Sequence, residues 1–465
     1  MFSVLDLTII IVFLFLSILL GFIGKTQRKD LLGYVLAGRG LSLPAFTLSL
    51  FSTWYGGILG VGEFVYHYGI SAWVIQGIPY YVFSVLFAFF MSEKIRKTQV
   101  LSLPDLLEQS FGRPMAVWSS LLTFILSSPA PYLLMMGVLI QSVFGVGLFL
   151  SIFFTVIISC AYLFWRGFAA DVATDIYLGV FMFLSFFCFA VFLLTQGPDF
   201  ALVLNALPEN HLTWNGGQSF QFVLVWVLVA LWTFVDPSFY HRCLAAKNAA
   251  VAKKGILISV VLWFCFDMCT LTAGLYARHM LPNLDNALFA FPELGHLMLG
   301  SGYKGLFFVG MFATIITTLS SVSFVSAISL GKDFYSRLKK LRSEPQIQRS
   351  IQISLFVSLF LGIWMAVEMP SVVGLWYTLA SLTVPGLLLP LLCALFQKDW
   401  ISPSRMIAVS GASVFVSTCW FFWGQFHTLE GYAQYPLGIE PMIPGLVVSF
   451  LICLLGFLRK TKYDV

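Results

Sequence analysis

A dense cluster of side-chain hydroxyls lies within the apolar run FFVGMFATIITTLSSVSFVSAISLGKDFY, residues 307–335. Thr314, Thr317, Thr318, Ser320 and Ser321 fall within eight residues, and positions 314, 317, 318 and 321 share one face of a helix. Hydroxyls, together with backbone carbonyls released from helical bonding, can coordinate a hard monovalent cation without a full negative charge. Such a stripe can also bond back to its own carbonyls or to a neighbouring helix. A second candidate is Ser52-Thr53-Trp54-Tyr55-Gly56-Gly57, where hydroxyls meet a glycine pair. Each Gly weakens a helix by about 1 kcal/mol relative to Ala, so local unwinding would expose carbonyls there. Close packing through small residues is the alternative. Asp175, in AADVATDIYL, could face Ser320 and Ser321 and hold a second cation, or be a helix-start acid beside Arg166. Asp267, in VLWFCFDMCTLTAG, could contact a solute, relay protons or bond a neighbouring helix.

These residues sit in a chain of 465 residues that is 59% hydrophobic and 10% charged. A soluble domain carries about 25% charged residues, so this composition implies an all-α polytopic membrane protein. About thirteen spans are expected, near 4–23, 42–66, 71–91, 115–142, 146–164, 168–195, 219–236, 255–277, 303–330, 350–367, 372–396, 406–424 and 443–458. Positive charge follows the apolar run at the N-terminus, at Lys25, Arg28 and Lys29, so the first span is expected to be retained and to enter from outside. With the C-terminus in the cytoplasm, 24 of the 26 Lys and Arg fall in inner loops, leaving Arg278 and Lys304 outside. A cell inner (cytoplasmic) membrane location follows. By a helical rise of about 1.5 Å per residue, the Ser52–Tyr55 and Thr317–Thr318 segments lie at similar depth, near mid-membrane.

The rest of the sequence narrows the function. No P-loop is present, which excludes the ATPase of a primary pump. Six scattered His and no nucleophile–base arrangement argue against a metal site beyond sodium and against an enzyme. The net charge of +5 reflects loop placement and does not suggest nucleic-acid binding. The eight cysteines avoid the outer loops, so no disulfide framework is expected. Glu63, Glu93, Asp333 and Glu368 lie near span ends and are expected to be solvated. No soluble output domain and no obligate protein partner are evident.

The segments LLGYVLAGRGLSLPAFTLSLFSTWYGG, Thr174-Asp175, YHRCLAAKNAAVAKKG and TIITTLSSVSFVSAISLGKDFY occur in an order that resembles the sodium:solute symporter family. The resemblance covers most of residues 31–337 and implies a LeuT-like core of two inverted five-helix repeats. These would be residues 42–195 and 219–396, within one transmembrane domain spanning 1–465, with one extra helix at 4–23 and two at 406–458. It also implies a sodium ion held by carbonyls of Ser52, Tyr55 and Thr314 and the hydroxyls of Thr317 and Thr318. A second sodium would use Asp175, Thr317, Ser320 and Ser321. Family members often carry Gln where this chain has Leu178, and sugar-holding positions appear as Leu59, Val229 and Trp263, with Gln76 surviving. The expected solute lining is Trp54, Gln76, Trp232 and Asp267, which favours an amino acid or organic acid over a sugar. The expected activity is sodium-coupled symport by alternating access. Proton coupling through Asp175 or Asp267, or a solute sensor on the same scaffold, are the alternatives.

Overall fold

The computed structural model describes residues 2–23, 30–369, 371–396, 401–429 and 432–461. Lys25, Arg28, Lys29, Lys398 and Lys462, which bear on the expected orientation, and the terminal Asp464-Val465 lie outside the described residues.

The chain is almost wholly helical. Helix α1 (Val4–Ile23) is followed by a broken pair, α2 (Leu43–Trp54) and α3 (Ile58–Tyr68). Next come α4 (Ile78–Phe90), α5 (Leu103–Leu126), α6 (Ala130–Phe144), α7 (Leu148–Cys160) and α8 (Phe168–Gln196). A second interrupted pair, α9 (Phe220–Val229) and α10 (Pro237–Ala245), leads into α11 (Ala249–Met280) and α12 (Tyr303–Ile328). The chain closes with α13 (Glu344–Glu368), α14 (Val372–Phe396), α15 (Pro403–Phe426) and α16 (Met442–Thr461). Among the described residues, eleven helical stretches are long and apolar enough to cross a membrane, and Met442–Gly456 is a shorter apolar one. The expected 42–66 span is absent from those eleven because it folds as halves of 12 and 11 residues.

Burial separates the helices by role. Phe15, Phe149, Phe356, Phe360 and Phe415 are all more than 60% exposed, a lipid-facing shell that water would not tolerate. Helix α12 is the opposite case: 23 of its 26 residues are buried. Its hydroxyls lie on several faces and need protein partners, which it finds by packing on α8, α13, α1, α2 and α6. Asp6 ties α1 to the start of α12, accepting from the Gly302 and Gly305 amides at 2.8 and 3.0 Å.

Two breaks shape the centre. Helix α2 stops at Trp54 because Tyr55-Gly56-Gly57 cannot sustain helical pairing at low cost. Pro237 lacks a donor and disfavours helical geometry in the residue before it, so Asp236 turns to ψ 112° and caps α10 from the Ser238 amide at 2.7 Å. The tight turn expected near Gly145 is present: its φ of 66° ends α6 in the left-handed region that glycine favours.

Two expectations change. The inner loop before the 115–142 span is partly helical, since α5 begins at Leu103, capped by Ser102, and kinks at Gly112. Asp333 is fully buried rather than solvated, because Lys332, Arg337 and the Ser102 hydroxyl all bond its carboxylate, at 2.7–2.8 Å. Lys332 and Arg337 also pair with Asp105, which locks the start of α5 to the segment after α12. All eight cysteines are unpaired.

Candidate functional site

The break after α2 lies directly against the hydroxyl stripe of α12. The Thr317 hydroxyl donates to the Ser52 carbonyl at 3.1 Å, and the Thr318 hydroxyl to the Thr53 carbonyl at 2.6 Å. Thr318 also reaches the Ser52 carbonyl, at 3.5 Å. The Thr314 carbonyl joins the group, accepting from Thr317 at 2.9 Å, while the Thr314 hydroxyl bonds back to Gly310. Tyr55 is buried at the break, its amide donating to Ser52 at 3.3 Å. The approach depends on a missing side chain: a Cβ on Gly56 would sit 2.0 Å from the Thr318 hydroxyl oxygen. Carbonyls of Ser52, Thr53 and Thr314 with hydroxyls of Thr317 and Thr318 form an all-oxygen cluster in the bundle's interior. Such a set suits a small hard cation.

One turn towards the other end of α12, the chemistry differs from expectation. Ser320 and Ser321 donate to Asp171, not to Asp175, the Ser320 bond measuring 2.6 Å. Asp175 accepts instead from Ser49 at 2.6 Å and from the Arg242 guanidinium at 3.2 Å. Arg242 is fully buried and also donates to Ser49, Thr53 and Ser321, with Asp171 3.9 Å away. The expected partner Arg166 faces elsewhere, towards the Phe22 carbonyl. The fixed cation therefore stands among the oxygens expected to hold a second sodium. Arg242 and Asp171 carry the site without having been singled out from the sequence. The available signal was Asp171 four residues before Asp175, on the same helical face. Nothing local to YHRCLAAKN marks its arginine as buried.

Beside the hydroxyl cluster lies a cavity of about 160 Å³ walled by α2, α4, α6, α9, α11 and α14. All four expected lining residues, Trp54, Gln76, Trp232 and Asp267, face it. Gln76 is presented by a π-helical turn, Trp73–Gly77, of the kind often found at functional sites. Tyr81 donates to Asp267, and Trp73 to Tyr81 at 3.2 Å. Val229 and Trp263 line the cavity too, whereas Leu59 is buried away from it. Thr53 and Thr318 belong to both the cavity wall and the oxygen cluster.

A membrane bundle with two interrupted helices, an interior oxygen cluster and an adjoining cavity is the architecture of a secondary transporter. The family model of the sodium:solute symporter family matches residues 34–403. The sodium/pantothenate symporter of Haemophilus influenzae is 24% identical over 358 residues, 72% of this chain and 72% of that protein. Sodium/glucose cotransporter 1 of Ovis aries is 23% identical over 407 residues, 74% of this chain but only 60% of that protein. Among solved structures, a sodium-coupled sialic acid symporter in a substrate-bound outward-open state superposes with a TM-score of 0.79. It is 14% identical, and 98% of this chain and 97% of that one are covered. Mhp1, a nucleobase-cation-symport-1 transporter, gives 0.57 at 14% identity, with 92% and 95% covered. The fold is of LeuT type. The chain belongs to the sodium:solute symporter family, a family of membrane transporters rather than enzymes.

Proposed function

We propose that this protein couples the uptake of a small organic solute to one sodium ion by alternating access. The observation that carries the reading is the convergence of the Thr317 and Thr318 hydroxyls on the carbonyls of Ser52 and Thr53, at the wall of the central cavity. Sodium would take the place of those direct bonds, gathering carbonyls of Ser52, Tyr55 and Thr314 with the two hydroxyls. In the second expected site, of Asp175, Thr317, Ser320 and Ser321, Arg242 supplies the positive charge, which supports a single coupled sodium. The unit would be the whole of 1–465 with repeats at 42–195 and 219–396. It would lie in the inner membrane, N-terminus outside and C-terminus in the cytoplasm.

Thr318→Ala tests the assignment through sodium-dependent thermal stabilisation of the purified protein. The variant should express and fold, yet need at least tenfold more sodium for the same stabilisation. An unchanged sodium titration would remove the site. Proton coupling is a second reading, favoured by one feature: Asp175 Oδ1 is buried without a partner, and two carboxylates share one guanidinium. Uptake driven by a pH gradient in sodium-free buffer would favour it.

A further inference from the structure

The walls of the cavity bear on the class of solute, an inference that rests on the symport reading above. In a transporter with broken helices, the N-terminal ends of the half-helices supply free amides for anionic groups. Here one such end is crowded by an indole ring and the other already carries a carboxylate. At the start of α3, the Trp376 ring lies so near that a Cβ on Gly57 or Gly60 would come within 2.2 or 2.8 Å of it. At the start of α10, the Asp236 side chain already occupies the amide of Ser238. Among the described residues no Lys, Arg or His lines the cavity, while two carboxylates, Asp236 and Asp267, do. Both side chains offer oxygens to a solute cation, whereas no fixed cation among the described lining residues would pair with a solute carboxylate.

The remaining surface is aromatic. Five of the thirteen tryptophans, including Trp54, Trp232, Trp263 and Trp376, line the space with Tyr80 and Tyr132. Trp54 is the hub, its ring centroid 4.9 Å from Tyr80 and 5.5 Å from Trp263. The Trp263 N–H is spent on the Phe51 carbonyl at 3.1 Å, so that indole offers the cavity a ring and no donor. Indole faces attract an organic cation through the ring quadrupole, most strongly where water is excluded. A cavity of roughly 150 Å³ accepts benzene, which sets the scale of the occupant. We infer that the solute is a small organic ammonium compound without a carboxylate, its charge facing Asp267 and Asp236 and its carbon groups enclosed by the tryptophans.

Purified full-length protein, followed by thermal stability and tryptophan fluorescence, tests this. The cationic probes are tetramethylammonium, choline and 2-phenylethylamine. The comparison compounds are 3,3-dimethylbutan-1-ol, an uncharged counterpart of choline, and the carboxylates lactate and pantothenate. In sodium, at least one ammonium probe should stabilise the protein, and neither the neutral compound nor the carboxylates should. Asp267→Asn should weaken that binding by about tenfold to a hundredfold, the usual worth of a buried hydrogen bond to a charge, while keeping the response to sodium alone. Trp232→Leu should weaken it as well. Stabilisation by a carboxylate, equal stabilisation by the neutral compound, or no response to any ammonium probe would overturn the inference. A response to sodium alone without one to ammonium leaves the symport reading standing. An ammonium response with no sodium response does the reverse.

Discussion

Arg242 shows how much one side chain can change the meaning of a motif. Asp175, Ser320 and Ser321 read, from the sequence, as oxygens for a second ion. A guanidinium, with five donors in a rigid plane, instead reaches Asp175, Thr53, Ser49 and Ser321 at once. Breaking a buried ion pair by removing one partner costs about 3–5 kcal/mol, because a desolvated charge is left behind. Arg242→Gln would strand both Asp171 and Asp175. Its melting temperature in detergent should fall sharply in sodium-free buffer and recover with sodium more steeply than that of the unaltered protein. A parallel sodium dependence in the two proteins would show that the guanidinium is not standing in for an ion.

At the level of elements, the most telling feature is the gap between α2 and α3. Gly56 lets α12 approach until a hydroxyl meets the released carbonyls, so glycine is needed there for space. Gly56→Ala should therefore act on function twice, by crowding Thr318 and by strengthening the helix across the break. Overpacking of this kind costs about 1–3 kcal/mol. Sodium-dependent stabilisation should be lost in this variant. Gly147→Ala, where no atom lies within 4 Å of the added carbon, should stay within about 0.5 kcal/mol and keep its sodium response. The break was legible because hydroxyls and paired glycines stand out inside an apolar run. The helical spans were legible for the same reason, since a membrane permits few patterns. Less visible were contacts made by charges near span ends. Asp333 reads as a solvated terminus, yet Lys332, Arg337 and the Ser102 hydroxyl bond it, and no local pattern announces a partner 231 positions away. The crowded start of α3 was hidden too, because it depends on Trp376 arriving from a distant helix.

Across the whole molecule, the cluster and the cavity share Thr53 and Thr318, so neither can be occupied without affecting the other. The shared wall comes from α2, early in the chain, and α12, late in it, and these two helices pack against each other. A sodium ion set between the Ser52 and Tyr55 carbonyls of the break and the Thr314 carbonyl with the Thr317 and Thr318 hydroxyls would fix the two helices together and complete the cavity's wall. A solute in the cavity holds Trp54, at the end of α2, against Trp263 of α11, which steadies the same break from the other side. Linkage requires that the two effects be equal: if sodium tightens solute binding by some factor, the solute tightens sodium binding by that factor. Typical couplings of this kind are about 5–150-fold. Titrating sodium with and without a saturating solute, and solute with and without sodium, should give a common factor in that range. Thr318→Ala should reduce the factor towards one, since it removes the only hydroxyl of α12 that touches both sites. Coupling that survives intact in this variant would mean that the two sites communicate through some element other than the α2–α12 contact.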